Sequence, residues 1–427
     1  MLKQYIAEFA RQLLSPAMKN RNLCLASLGF ALLCVGVFIQ SCTSQGQTPS
    51  PTAHVSLVLP TTYPTETLTP HPTLTPLPTL SFTPLPRPTL LEPCISFYDR
   101  TNGDLKFTCL ENRKWVVDTV DSEGDVGLYS SLAFDRFSTP YISYYSRSEQ
   151  KLKIAIRKGN QWTTAVVDLG KGAGLFTSLA IRRDDTVFIS YYDEERGYIK
   201  MAHLEKKQWI IDDVDFIGTN KDNLELDLFR TSLVLDANGY PVISYVDLVN
   251  RNLKMARQDA SGQWRSVVVD DSPDVGWSNS LMINVGGFPV ISYFDQNLQV
   301  LKLASLEPTG WSIQVLDDTV GTGAYTSIGL GEQGNYIVAY FDDNFDDMKL
   351  RIAEKTTSIK SRRNIGWYIS LALDQNGNPL IAYYDFSQKD LGIVQFQNNR
   401  YQITTIATSG DVGLYPSIRF VPKYGTN

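Results

Sequence analysis

The chain has 427 residues, with 39 Lys and Arg against 45 Asp and Glu, a net charge of −6 and a pI near 5.3. That balance excludes a nucleic-acid surface, which needs a clustered basic footprint; the densest cluster, Lys360 with Arg362 and Arg363, falls on a predicted loop. Of three His, His54 and His71 lie in a Pro-rich stretch, so the folded part keeps only His203, placed at a strand end beside Lys200. This excludes Ser-His-Asp and Cys-His nucleophile systems and multi-His zinc sites.

In chain order, residues 1–42 come first. Leu23 to Ile39 is an apolar run preceded by Lys19 and Arg21 and followed by Gln40, Ser41 and Cys42. Its length suits a long signal core and is marginal for a spanning helix. Ile39 and Ser41 before Cys42 resemble the bacterial lipoprotein cleavage box, which implies lipidation of Cys42. Met18 followed by Lys19 makes a compact start of normal length, so residues 1–17 are a candidate misassigned start. The alternative is an uncleaved membrane anchor with its basic end inside. Either way, everything after residue 42 is expected to be exported and held at the outer side of the bacterial cytoplasmic membrane.

Residues 43–92 form a stalk. The stretch 43–93 holds 12 of the 21 prolines, many next to Thr. Such a composition builds no core and favours extended polyproline conformations of ~3.1 Å per residue.

From residue 93 to 423 one pattern dominates. A strand reading I-S-Y-Y-D, or a close variant, recurs as Ile95–Asp99, Ile142–Ser146, Ile189–Asp193, Ile243–Asp247, Ile291–Asp295, Val338–Asp342 and Ile381–Asp385. A period near 47 residues marks stacked four-stranded units. Within the second copy, four short β-rich runs start near Tyr129, Pro140, Lys151 and Gln161, separated by turn residues. They predict an antiparallel meander of strands A to D. In six full copies the A-strand Ser (131, 178, 232, 280, 327, 370) precedes the B-strand Ser or Ala by 12 residues. Such constancy fixes a structural register, since a one-residue slip turns every side chain to the wrong face.

The first copy lacks an A strand, and the chain ends with one, Asp411 to Phe420, that has nothing after it; residues 424–427 are a tail. The fold class predicted is all-β: a seven-bladed β-propeller of four-stranded antiparallel blades, the C-terminal strand completing the first blade so that no sheet edge stays open. Cys94 and Cys109 flank the first hairpin at opposite positions, which predicts a disulfide in an exported protein.

Strand alternation puts the B–C loops and the D–A loops on one face. The B–C loops open on Asp99, Asp193, Asp247, Asp295, Asp342 and Asp385; the D–A loops carry Asp125, Tyr129, Asp274, Trp277, Tyr325, Trp367, Tyr368, Asp411 and Tyr415. Aromatics beside carboxylates suit sugar rings and hard cations, Ca2+ being the one cation considered. The plainer account has each Asp capping its loop and each aromatic packing between blades. A single site should break the symmetry, which directs attention to the insertion Phe216–Leu226, the acid-rich Asp342–Asp347 (Asp346 among them), Trp277 and Trp367, and Ser146 where other copies have Asp.

The segments G-x-Y-x-S-L-A-x-D, N-G-x-P-x-I-S-Y-Y-D and L-K-x-A resemble the propeller repeats of exported bacterial proteins grouped with sialidase-like domains. The turn Asp259–Trp264 stands where those repeats carry an Asp-box. The resemblance implies the fold. A sialidase also needs an arginine triad and a Tyr–Glu pair, whereas Arg147, Arg196 and Arg230 are possible face residues with no common pattern. The expected function is a surface-tethered, monomeric binding or scaffold protein for a glycan or a protein, with no catalytic residue, metal site or resident cofactor assigned. The alternative is a glycoside hydrolase or lyase with paired carboxylates.

Overall fold

The structure is a computed structural model and describes residues 89–220, 226–398 and 400–423; the signal and lipidation assignments and the stalk up to residue 88 lie outside the described residues, whereas residues 89–92, assigned to the stalk, belong to the first strand, Thr89–Asp99, where they pair with the closing strand. Seven four-stranded antiparallel sheets form the blades of a propeller. Blade 1 joins Val412–Lys423 to Thr89–Asp121, and blades 2 to 7 follow as Val126–Asp168, Ala173–Phe216, Ser232–Asp270, Val275–Asp317, Thr322–Ile359 and Ile365–Ala407. The final strand pairs with Thr89–Asp99 as predicted, with Ile95 opposite Ile418 and Ser96 opposite Ser417. Cys94 faces Cys109 across the first hairpin, and the two form a disulfide. Among the described residues helix is limited to two 3-10 turns, Leu226–Leu228 and Glu332–Gly334. Among the described residues no helix is long and apolar enough to cross a membrane.

The repeated sequence is explained by what it bonds. Each A-strand Ser hydroxyl accepts a main-chain N–H from the next blade: Ser131 from Leu179, Ser178 from Leu233, Ser232 from Leu281, Ser280 from Ile328, Ser327 from Leu371, Ser370 from Ile418 and Ser417 from Leu132, all at 2.9–3.2 Å. This circle of bonds closes on itself only through Ser417.

The first Tyr of I-S-Y-Y-D bonds across a blade boundary. Tyr144 donates to Asp121, Tyr191 to Asp168 and Tyr293 to Asp270, each at 2.6 Å, while Tyr245 donates to Asp215 and Tyr340 to Asp317. A C-strand Lys reaches the same carboxylate, as Lys153 does to Asp121 at 2.8 Å and Lys200 to Asp168 at 3.3 Å. Buried tyrosine hydroxyls and ammonium groups need such partners, so the acid near the end of these five D strands is a structural requirement, while the D strands of blades 6 and 7 end on Ile359 and Ala407.

The B–C and D–A loops form a belt. Gly103, Gln150, Gly197, Arg251, Gln299, Asp346 and Lys389 each offer a carbonyl to the next D–A loop, and that loop returns a carbonyl to the following B–C loop. Val126 N–H to Gly103 and Arg147 N–H to Asp125 are one such exchange, at 2.9 and 2.8 Å. The face that they build is held by main-chain bonds at every blade junction.

Candidate functional site

The B–C aspartates are buried and turn their loops. Asp193 accepts the Arg196 N–H at 3.0 Å, Asp247 that of Val249 at 2.9 Å, Asp295 that of Leu298 at 2.8 Å, Asp342 that of Asn344 at 3.1 Å and Asp385 that of Ser387 at 3.0 Å. The other oxygen faces a cation: Lys200 for Asp193, Lys254 for Asp247, Lys302 for Asp295, Lys349 for Asp342 and Arg363 for Asp385. Where Ser146 replaces Asp, its hydroxyl caps Glu149 N–H at 3.1 Å, and the Glu149 carboxylate supplies the missing charge to Lys153 at 3.2 Å.

The D–A acids are equally committed. Asp125 accepts Tyr98 at 2.7 Å and Arg147 at 2.8 Å; Asp274 accepts Arg251 at 2.7 Å and Trp277 Nε1 at 2.9 Å; Asp411 accepts Tyr384 at 2.9 Å and Arg100 at 3.3 Å. Arg196 is taken up by Asp213 at 2.9 Å. Asp346 differs: burial and the nearby Asp343 and Asp347 raise its carboxyl above the ordinary range. It accepts the Asn364 amide at 2.9 Å, and Asn364 in turn accepts Trp367 Nε1 at 2.8 Å. Trp277 and Trp367 are both buried. Among the described residues no group of three or more His, Cys, Asp or Glu is arranged to hold a metal ion.

The tyrosines gather at the axis. Two residues before the ring Ser, Tyr129, Phe176, Ser278, Tyr325, Tyr368 and Tyr415 all adopt a left-handed conformation, φ 51–56°. The glycine two residues earlier is required by close approach. At Gly127, with φ 104°, a Cβ would lie 2.7 Å from Leu105 Cα of the neighbouring blade. The bulge brings the side chains inward: Tyr129 lies 4.2 Å from Phe176 and 4.6 Å from Tyr415, and Tyr415 4.5 Å from Tyr368. Beneath them a cavity of about 160 Å³ is lined by residues of all seven A strands, mostly hydroxyl-bearing.

Blade 4 breaks this pattern. The insertion replaces the bulge, and its 3-10 turn carries Asp227 to the axis, where Tyr368 donates at 2.6 Å and Tyr325 donates to the other oxygen. Arg230 holds the turn through the Asp227 carbonyl at 2.8 Å and lies 5.5 Å from the centre of the Tyr368 ring. Burial, reinforced by Asp227, raises the Tyr368 hydroxyl well above its ordinary pKa. Thus Tyr129, Tyr325, Tyr368 and Tyr415 do meet, with Trp367 against Tyr325 at 5.3 Å between ring centres, while the outer Asp residues and Trp277 are spread around the ring. Asp227 was not legible from the repeat, because it belongs to the segment that interrupts it.

The same face also carries exposed apolar side chains that the repeat did not signal: Leu169, Phe216, Val249, Leu298, Val320 and Phe345, with Leu169 77% and Phe345 74% exposed. Three are tied through the belt. Gly321, next to Val320, donates to the carbonyl of Gln299, next to Leu298, and Asn344, next to Phe345, donates to the carbonyl of Val320 at 2.7 Å.

No family model matches the chain, and neither does any curated protein. Among solved structures, a protein from Lactobacillus plantarum aligns with a TM-score of 0.53 at 9% identity, covering 77% of this chain and 99% of its own. The fungal lectin of Aleuria aurantia, a six-bladed β-propeller with a fucose recognition mode, aligns at 0.46 and 12% identity over 65% of this chain and 95% of its own. The periplasmic gluconolactonase PpgL of Pseudomonas aeruginosa aligns at 0.52 and 12% identity, covering 79% of this chain and all of its own. With the gluconolactonase and the Lactobacillus protein, the likeness is one of fold: the chain is a β-propeller.

Proposed function

We propose that this chain is an exported, surface-tethered binding protein that presents its B–C and D–A loop face to an extracellular partner, a protein or a glycan. One observation carries the reading: the carboxylates and aromatics of that face are committed to the fold, while Leu169, Val249, Val320 and Phe345 stand exposed on loops bonded into a belt. Apolar side chains on a pre-organised surface lose little entropy on docking. The disulfide fits an oxidising compartment, in keeping with the export signal and with attachment through Cys42 or an uncleaved anchor. Thr89, paired with Lys423, lies at the end of the first strand away from the loop face.

A second reading draws on Asp346, whose raised carboxyl beside Asp342, Asp343 and Asp347 is the kind of acid a glycoside hydrolase uses. Photo-crosslinkers placed at Val320 or Phe345, compared with one at Val285 on the other face, separate the two when combined with a glycan array and a polysaccharide-turnover assay. Specific adducts from the loop face alone, lost on Val249→Asp, support the binder. Turnover abolished by Asp346→Asn replaces it with the hydrolase.

A further inference from the structure

On the opposite face, between blades 1 and 2 and beside the Cys94–Cys109 disulfide, lies a cavity of about 340 Å³ walled by Phe107, Phe134, Phe137, Ser138, Thr139 and Arg157. Its volume reaches the ~300 Å³ at which small-ligand sites begin. Two of its residues break the sevenfold pattern. Arg157 pairs across the strands with Trp162, a position held elsewhere by Leu110, Leu204, Gln258, Leu306 and Phe396. Phe137 occupies an A–B turn position filled in other blades by Asp184, Asn238, Gly286, Gln333 and Asn376.

These departures are not accounted for by the packing. Phe137 is 70% exposed yet held in place: the Arg136 guanidinium sits 4.7 Å from its ring centre and is itself fixed to Asp185 at 2.9 Å. The adjoining Ser138 takes a left-handed conformation, φ 64°, and donates to the Pro422 carbonyl at 2.6 Å, tying the turn to the closing strand. Arg157 reaches Asp118 through Nη2 at 3.5 Å, but its buried Nε has no hydrogen-bond partner among the described residues, and neither does Trp162 Nε1 beneath it. Unpaired buried donors are rare and call for an acceptor. Aromatic walls, two hydroxyl-bearing residues and a guanidinium that Asp118 meets only at 3.5 Å suit a ring with an apolar face and acceptor oxygens. Asp118 already faces the guanidinium, so a neutral ring fits better than a second carboxylate.

We propose that this pocket binds one neutral pyranose unit of a glycan, its apolar face against Phe134 and Phe137 and an oxygen accepting the Arg157 N–H. The site is separate from the loop face and does not depend on it. Saturation-transfer NMR and calorimetry on the full-length chain in detergent test it, with a panel of neutral hexopyranoses, deoxyhexoses and hexuronic acids as probes. Saturable binding by a neutral sugar is expected, weakened tenfold or more by Arg157→Leu and by Phe137→Asn. Both substitutions install residues that other blades carry at these positions, so the fold tolerates them, and an unchanged melting curve verifies it. Phe345→Asp on the other face leaves this binding unaltered. The proposal is overturned if no neutral pyranose binds, if only hexuronic acids bind, or if folded Phe137→Asn and Arg157→Leu bind within twofold of the parent.

Discussion

Tyr191 of blade 3 donates its hydroxyl to Asp168 of blade 2 at 2.6 Å, with both side chains buried at the boundary. Tyr144 and Asp121, Tyr293 and Asp270, and Tyr340 and Asp317 repeat the pair at the same separation of 23 residues. The tyrosines of I-S-Y-Y-D therefore join blades. Tyr191→Phe removes one buried bond while Lys200 and the Gly170 N–H still serve the carboxylate. A loss of about 1–2 kcal/mol is expected, read as a lower urea midpoint with an unchanged slope.

Acid should act through the same groups. Burial alone would raise Asp168, but the hydrogen bonds from Tyr191 and the Gly170 N–H, together with Lys200, hold it below the ordinary carboxylate range; Asp121, Asp270 and Asp317 are lowered in the same way. A carboxylate with a depressed folded pKa contributes stability that is present above its unfolded value and lost as the pH falls through the folded one. Melting temperature should hold at neutral pH and decline below about pH 4. With Asp270→Asn, the acid-dependent part of that decline becomes smaller.

A hydroxyl pair at the boundary that Tyr191 and Asp168 join offers a cleaner test of coupling. Ser143 and Thr177 meet at 2.7 Å, and Ser96–Ser130, Ser190–Thr231, Ser244–Asn279 and Ser292–Thr326 are its polar equivalents. At the two remaining boundaries the equivalent residues are Ala339 with Ile369 and Ala382 with Pro416, apolar on both sides. Thr177→Val alone should cost about 1–3 kcal/mol by stranding a buried hydroxyl. Adding Ser143→Ala should recover part of that loss, a coupling of about 1 kcal/mol in a double-mutant cycle.

Asp227 anchors the axis. Asp227→Ala withdraws the acceptor from Tyr368 and removes one from Tyr325, at an expected cost of about 2–3 kcal/mol. Asp227→Asn, which keeps one acceptor oxygen, should cost clearly less. Hydrogen exchange at Phe229 and Arg230 should accelerate in the Ala variant before the outer strands respond.

Reduction should loosen blade 1 first. The disulfide spans 15 residues, for which loop closure predicts about 3 kcal/mol, and Cys94→Ser with Cys109→Ser should match the reduced protein in calorimetry.

Most of the architecture was legible because a propeller writes its register into spacing: the blade number, the closure through residues 411–420 and the opposed cysteines all follow from the period. The Tyr–Asp partnership was not read from the sequence: four of its five pairs share a 23-residue interval, but an interval does not say which blade a side chain faces. Alternation placed Trp277 and Trp367 on the loop face, yet the same alternation allows burial between blades, and their indole N–H groups bond back to Asp274 and Asn364. Asp227 and the exposed apolar residues were hidden for a different reason. They lie in the insertion or at loop tips, where no repeated partner constrains the sequence.

The closing strand also sets an order of events during synthesis. The three N-terminal strands of blade 1 emerge first but wait for Val412–Lys423 before their inner edge is covered, and the serine circle stays open until Ser417 arrives. Joining ends some 320 residues apart carries a chain-entropy cost of about 5 kcal/mol. The Cys94–Cys109 bond lies within the part that waits, and it holds that hairpin in register while its partner strand is still being made. The twelve residues Val412–Lys423 thus decide whether the first blade folds, and a chain cut before Val412 would carry an open strand edge ready to pair with another molecule.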